Sequence, residues 1–252
     1  MISYRTVTTV SQRHLRRKTI TFFIILCLFF TSIFFTWRWL HHQPISNEAP
    51  IPVRKMLNFN EAFFRNFFEP HHLAKTFPRE AAVRNVRVNG KIGLKEVFDT
   101  ALWKLQVIRS AGDTLSLSLN DIKALPKTEI IFDFKCIEGW SQVTHWSGVK
   151  FSDLIKKYNL NNQSMLKYVS LVTPDKNYYV GIDMESMLHP QTLLCYEVND
   201  APLPLDQGYP LRLIIPVKYG IKHLKRIGTI SFSNERPADY WYERGYDYYS
   251  GL

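Results

Sequence analysis

The chain has 252 residues, 46% hydrophobic and 14% aromatic against 21% charged, a composition that excludes wholesale disorder and suits one sizeable domain with an appendage. Its formal charge is +10, but Arg5, Arg13, Arg16, Arg17, Lys18 and Arg38 supply +6 of it and no acid precedes Glu48. The basic excess is a flank rather than a patch spread over a domain, so no nucleic-acid partner is expected.

In chain order, residues 1–18 form a basic N-terminus. Thr19–Trp37, TITFFIILCLFFTSIFFTW, is nineteen residues without a charge, bracketed by Lys18 and Arg38. A helix of that length rises about 1.5 Å per residue and spans roughly the hydrocarbon core of a bilayer. Trp37 and Trp39 suit an interface, and the leading positive charges place residues 1–18 in the cytoplasm and the remainder outside it. The exit, WRWLHHQP, offers no small-residue cleavage site, so residues 19–40 are expected to remain as an anchor. Arg16-Arg17 also permits twin-arginine export.

Residues 41–83 are expected to hold a Pro-rich tether, Gln43–Pro52, and then a helix, Asn58–Pro70 (NFNEAFFRNFFEP). Phe63, Phe64, Phe67 and Phe68 share one face of that helix and Pro70 stops it. The aromatic face is expected either on a membrane surface or against the main domain.

The body, residues 84–252, alternates short strands and short helices. Strands are expected over Glu129–Phe134, Lys167–Val172, Asn177–Ile182, Thr192–Val198, Leu211–Val217 and Ile227–Ser233, each rich in β-branched or aromatic residues. Helices are expected over Leu119–Leu125, capped by Ser118 or Asn120, over Phe151–Tyr158, whose Phe151, Leu154, Ile155 and Tyr158 keep helical spacing, and over Asp183–Leu188. Strands outnumber helices without alternating with them one for one, which predicts a mixed α+β domain.

Chemistry concentrates in two places. Of three cysteines, Cys27 falls in the apolar span and Cys195 in the run TLLCYEV, both reading as small buried hydrophobes. Cys136, in FDFKCIEGW, ends an apolar run. It is a core thiol, a nucleophile served by a distant histidine such as His145, His189 or His223, or a soft metal ligand. A single thiolate suits a metal that arrives with most of its ligands inside a cofactor. Arg212 and the loop KYGIKHLKRIG, with Lys218, Lys222, His223, Lys225 and Arg226, supply cations and backbone N–H groups of the kind that hold a phosphate.

The pattern C-x-E-G-W-(x)5-W-S-G-V followed by a helix resembles the molybdopterin-binding domain of the sulfite oxidase family. LHPQTLLCYEVNDAPLPLDQGYPLRLIIPVKYGIKHLKRIGTISF and DYWYERGY follow in the family's order. The resemblance covers about Val88 to Tyr246 and is nearest to the haem-free bacterial and archaeal branch, which includes protein-methionine-sulfoxide reductases. It implies a sulfite-oxidase-type α+β fold holding Mo-molybdopterin, with Cys136 as the molybdenum ligand and catalytic residue. It further implies pterin contacts from Thr173, Arg212, His223, Leu224 and Lys225, with a looser match at Asn66. Gln207 stands where the sulfoxide reductases carry Asn. Sulfite-oxidising members carry an arginine shortly after the cysteine, where this chain has Ile137-Glu138-Gly139-Trp140.

The expected protein is therefore a single-pass oxidoreductase of the bacterial inner membrane with its C-terminal domain in the periplasm. It moves an oxygen atom to or from an S- or N-oxide type of substrate and exchanges electrons with a membrane-bound cytochrome or quinone-linked partner. The alternatives are an exported non-catalytic binding domain and a thiol hydrolase that uses Cys136 with His145 or His223.

Overall fold

The computed structural model describes residues 11–67, 69, 72–94 and 99–252, and the chain divides into two compact units, Met1–Lys55 and Met56–Leu252. Arg5, Phe68 and Pro70, on which the basic flank, the aromatic face and the helix stop partly rested, lie outside the described residues. In the first unit, helix α1 (Gln12–His41) runs for 30 residues and buries none of them. It is about 45 Å long, contains the whole charge-free stretch, and is long and apolar enough to cross a membrane.

The expected tether takes a more defined form. Strands β1 (Ile45–Ser46) and β2 (Ala49–Pro50) pair antiparallel. Between them Asn47 and Glu48 adopt φ of 48° and 58°, the left-handed pair that a two-residue hairpin turn requires. Helix α2 (Ile51–Arg65) then starts at Ile51 rather than Asn58, because Pro52 fits a first helical turn, where its missing N–H costs nothing. The part of α2 in the second unit docks by its polar side. Glu61 is buried and pairs with Arg236 at 2.5 Å, whereas Phe59, Phe63, Phe64 and Phe67 are exposed. The aromatic face is thus not the one packed on the domain.

The second unit continues with β3 (Leu105–Ser110), β4 (Asp113–Leu117), α3 (Leu119–Lys123), β5 (Lys127–Lys135), β6 (Ser141–Lys150), α4 (Phe151–Lys157) and α5 (Asn161–Ser164). There follow β7 (Tyr168–Val172), β8 (Tyr179–Asp183), α6 (Met184–Met187), β9 (Leu193–Val198), β10 (Ala201–Pro202), β11 (Arg212–Ile214) and β12 (Thr229–Ser233). One sheet runs β10-β9-β6-β5 with β11 also on β9, and the other runs β4-β3-β12-β7-β8. Only β12 with β3 is parallel among these pairings, giving the mixed α+β architecture that the sequence predicts.

All six expected strands and three expected helices are present with altered ends: β5 runs longer at both ends, β8 starts and ends later, and the others are trimmed. Leu211–Val217 shortens to β11, since Pro216 has no N–H to extend a ladder. Ser118 rather than Asn120 caps α3, in a reciprocal pair with Asp121. Strands β3, β4 and β6 were not expected.

Alternation along β9 sorts the interior. Leu194 and Tyr196 face the main core, which fills the space between the sheets with Leu105, Val107, Leu154, Leu171, Leu213 and Ile230. Leu193 and Cys195 face the opposite side, with Phe132, Trp146 and Ile214. Cys195 is fully buried there and burial pushes its thiol pKa up, as expected of a core cysteine. Arg212 and Ile214, two residues apart on β11, share that second side. The catalytic-looking groups gather on it.

Candidate functional site

The β5–β6 hairpin positions Cys136. The strands pair over nine positions, from Lys127↔Val149 to Lys135↔Ser141, leaving Cys136–Trp140 as the connection. The Cys136 N–H donates to the Trp140 carbonyl at 2.9 Å, and the Gly139 N–H donates to the Cys136 carbonyl at 3.1 Å. Gly139 has φ of 88°, where a side chain would be strained. CIEGW is therefore a tight loop that holds a 7%-exposed thiol at the tip of a long hairpin.

The segment before β3 runs along that hairpin. Phe77 N–H donates to the Ile131 carbonyl, Val83 N–H to the Val143 carbonyl, and Arg87 N–H to Gln142 Oε1. This brings Asn89 to the tip, its Nδ2 3.7 Å from Cys136 Sγ and 3.1 Å from Glu138 Oε2. Trp140 Nε1 donates to the same Glu138 oxygen at 3.2 Å. The Asn89 and Trp140 donors hold the Glu138 carboxyl below its ordinary pKa. The Arg87 guanidinium lies 4.6 Å over the Trp140 ring.

Cys136, Asn89, Gln207, Arg212, His223 and Lys225 all line one cavity of about 280 Å³, walled further by Trp140, Trp146 and Tyr178. Arg212 is 2% exposed. Its Nη1 donates to Gln207 Oε1 at 2.7 Å and to the Gln207 carbonyl at 3.2 Å, and its plane lies 4.3 Å over Trp146. Its Nε is buried with no partner. Burial lowers its pKa to about 10. Lys225 Nζ donates to the carbonyls of Asn89 and Gly90 at 2.8 and 3.1 Å, fixing the segment that carries Asn89. Burial first, and then the Arg212 charge, lower its pKa to about 7.

Among the described residues neither cation has an ion-pair partner. A buried cation is costly without a counter-charge, so a cavity lined by Arg212, with its orphaned N–H, and by the half-buried Lys225 fits a phosphate-bearing group. The thiol in the same cavity fits a soft metal. The donor set therefore suits a metal-bearing, phosphate-bearing cofactor.

His223 serves as a wall. Its Nδ1 accepts from the Ile215 N–H at 3.5 Å and its Nε2 donates to the Lys218 carbonyl at 3.1 Å. Burial and then the Arg212 charge push its pKa down to about 3, so it is neutral. His145 sits elsewhere, its Nε2 3.1 Å from Glu129 Oε2 in a depression shared with Arg79 and Asp200. Neither histidine is bonded to Cys136, whose side-chain donor among the described residues is Asn89. Among the described residues no histidine is hydrogen-bonded to the Cys136 thiol.

The remaining expected contacts lie off the cavity. Leu224 is fully buried in the main core, and its carbonyl is taken by the Leu213 N–H. Thr173 bonds Asp175 Oδ1 at 2.5 Å, accepts from the Tyr178 N–H at 3.1 Å, and packs behind Gly93. Asn66 is exposed at the end of α2, its Nδ2 bonded to the Ala62 carbonyl at 3.2 Å. Asn89 and Tyr178 were missed. Asn89-Gly90 is a turn-forming dipeptide inside the basic stretch RVNGK, a signal available in the sequence, whereas nothing local marks Tyr178.

Residues 92–241, more than half of the chain, match the family described as oxidoreductase molybdopterin binding domain. The chain is similar to YedZ1 of Azospira oryzae, a subunit assigned to a protein-methionine-sulfoxide reductase. The identity is 33% over 198 residues, covering 78% of this chain and 74% of that protein. It is also similar to the protein-methionine-sulfoxide reductase catalytic subunit MsrP of Campylobacter jejuni, with 33% identity over 168 residues, 60% of this chain and 55% of that one. The chain thus spans about half the length of the catalytic subunit. A partial likeness to the crystal structure of the sulfane dehydrogenase SoxCD of Paracoccus pantotrophus has a TM-score of 0.49 at 16% identity, covering 67% of this chain and 47% of that one. The chain belongs to the sulfite-oxidase type of oxidoreductase molybdopterin-binding domains.

Proposed function

We propose that this chain is the Mo-molybdopterin-holding catalytic subunit of an oxygen-atom-transfer enzyme whose substrate is a small or protein-bound S- or N-oxide. The observation that carries the reading is the presence in one cavity of a thiol, Cys136, and two cations without ion-pair partners, Arg212 and Lys225. When bound, the cofactor supplies a two-electron centre for oxygen transfer. The chain's own residues hold and tune that group. Cys136 donates the sulfur ligand. Asn89 Nδ2 points at the same sulfur, and a donor there withdraws charge from it. Arg212 and Lys225 neutralise the phosphate, and Trp146 backs the guanidinium. Glu138 places a carboxylate at the mouth beside the thiol, which disfavours an anion such as sulfite and suits a neutral substrate.

Helix α1 supports anchorage in the bacterial inner membrane with the C-terminal domain in the periplasm. The naming of the relatives as subunits fits a separate electron partner, here a membrane-bound cytochrome or quinone-linked protein. Protein from a host that makes the cofactor is expected to carry about one molybdenum per chain, and Cys136→Ala to lose it. Metal analysis reads both, and metal-free native protein from such a host would sink the proposal. Methionine sulfoxide with a dye electron donor is the first substrate to try.

A further inference from the structure

Helix α2 is amphipathic in the inverted sense. Arg54, Leu57, Glu61 and Arg65 form its inward side, buried or half-buried. Met56, Phe59, Phe63 and Phe67 follow one another on the outward side at 47–69% exposure. The rings form a continuous strip, with centroids 6.1 Å apart for Phe59–Phe63 and 5.3 Å for Phe63–Phe67. Four large apolar side chains in a row on water form the kind of patch that marks an interaction surface.

Two observations identify what covers it. The first is the chain's reach. Helix α1 ends at His41 and α2 begins at Ile51, a link that spans at most about 35 Å even fully extended and less with the β1–β2 hairpin in it. A helix tied so closely to an apolar segment that buries none of its 30 residues stays near whatever surrounds that segment. The second is charge. Glu61 is the only acid between residues 51 and 67, and it is turned inward onto Arg236. The outward side carries Lys55, Asn58, Asn60 and Asn66 at its margins, all exposed, and no negative charge to repel anionic headgroups.

We infer that α2 lies in the interfacial plane of a lipid bilayer, with Phe59, Phe63 and Phe67 in the acyl boundary and Glu61–Arg236 fastening the domain above it. The inference rests on the anchor reading of α1.

Photo-crosslinking in the full chain, reconstituted in phosphatidylethanolamine–phosphatidylglycerol nanodiscs, tests it. Benzoylphenylalanine replaces Phe63 or, in a second protein, Phe67. Phe29 in α1 serves as the buried-in-lipid reference and Met165, 83% exposed, as the collision reference. Mass spectrometry is expected to find lipid adducts at Phe63 and Phe67 in yields close to that at Phe29 and several times that at Met165. Adducts at Phe29 with only the Met165 yield at both α2 positions would overturn the interfacial helix and spare the anchor. Adducts at neither Phe29 nor α2 would overturn the anchor as well. Adducts to a second copy of the chain at Phe63 or Phe67 would replace the bilayer with a dimer interface.

Discussion

The loop KYGIKHLKRIG and its neighbour Arg212 supply two kinds of cation. Lys218 and Lys222 are each 1% exposed and each paired, Lys218 with Asp183 at 2.8 Å and Lys222 with Asp239 at 2.5 Å. Tyr249 and Tyr248 present their ring faces to the two ammonium groups. Burial alone would raise the Asp183 pKa, yet the Lys218 charge and the bonds from Lys218 and Ser186 carry it below its ordinary value. Arg212 is buried too and Lys225 is half-buried, but each bonds only neutral oxygens and each faces the cavity. The first pair are structural cations whose counter-charge is built into the fold. The second pair have no ion-pair partner among the described residues and suit a counter-charge brought by a bound group. Composition and spacing present all of them as one basic cluster.

Substitution separates the two kinds. Lys222→Met leaves Asp239 as an uncompensated buried charge and is expected to cost about 3–5 kcal/mol of stability, measured by denaturant unfolding. Arg212→Met removes a cation that has no ion-pair partner among the described residues, so in cofactor-free protein it is expected to cost less than Lys222→Met, chiefly through the lost bonds to Gln207. The same change is expected to empty the protein of molybdenum made in a competent host. Equal destabilisation by the two substitutions would break the distinction.

A subtler test uses pH. The folded pKa of Lys225, about 7, lies below the ordinary lysine value of 10.5. The folded chain therefore binds fewer protons there than the unfolded chain between those values. Its contribution to the stability of cofactor-free protein rises with pH across that window. Sulfate, whose charge is constant over the range, is expected to bind tightest below pH 7 and to weaken as Lys225 loses its proton. Calorimetric titration at pH 6 and pH 8 reads the difference, and an affinity that does not fall would remove Lys225 from the anion site.

Much of this was legible in the sequence because the signals are local. Strands such as β7 and β9 are dense in apolar residues, and Phe151, Leu154 and Ile155 mark α4 by spacing alone. Strand β6 was not legible. Thr144, His145 and Ser147 are buried polar residues within it, so it lacks an apolar rhythm, and its glycine reads as a breaker. Gly148 is there because a Cβ would lie 2.1 Å from the Leu194 carbonyl oxygen of the neighbouring strand, a fact about β9 that spacing within β6 cannot carry. The site followed the same rule. Cys136 and Arg212 stand in recognisable strings, whereas Asn89 reaches the thiol through a segment whose partners are 47 to 136 positions away. Thr173 and Leu224 are buried outside the lining of the cavity.

That segment has a consequence for the order in which the molecule is built. Ala74 exchanges both backbone bonds with the Gln191 side chain, and Phe77 and Val83 need β5 and β6 before they can pair. The wall bearing Asn89 leaves the ribosome ahead of nearly everything it rests on. It is synthesised early and fixed late, since loops of that length must close before any of its bonds form. Lys225 closes that wall from 136 and 135 positions further on, through its bonds to the Asn89 and Gly90 carbonyls.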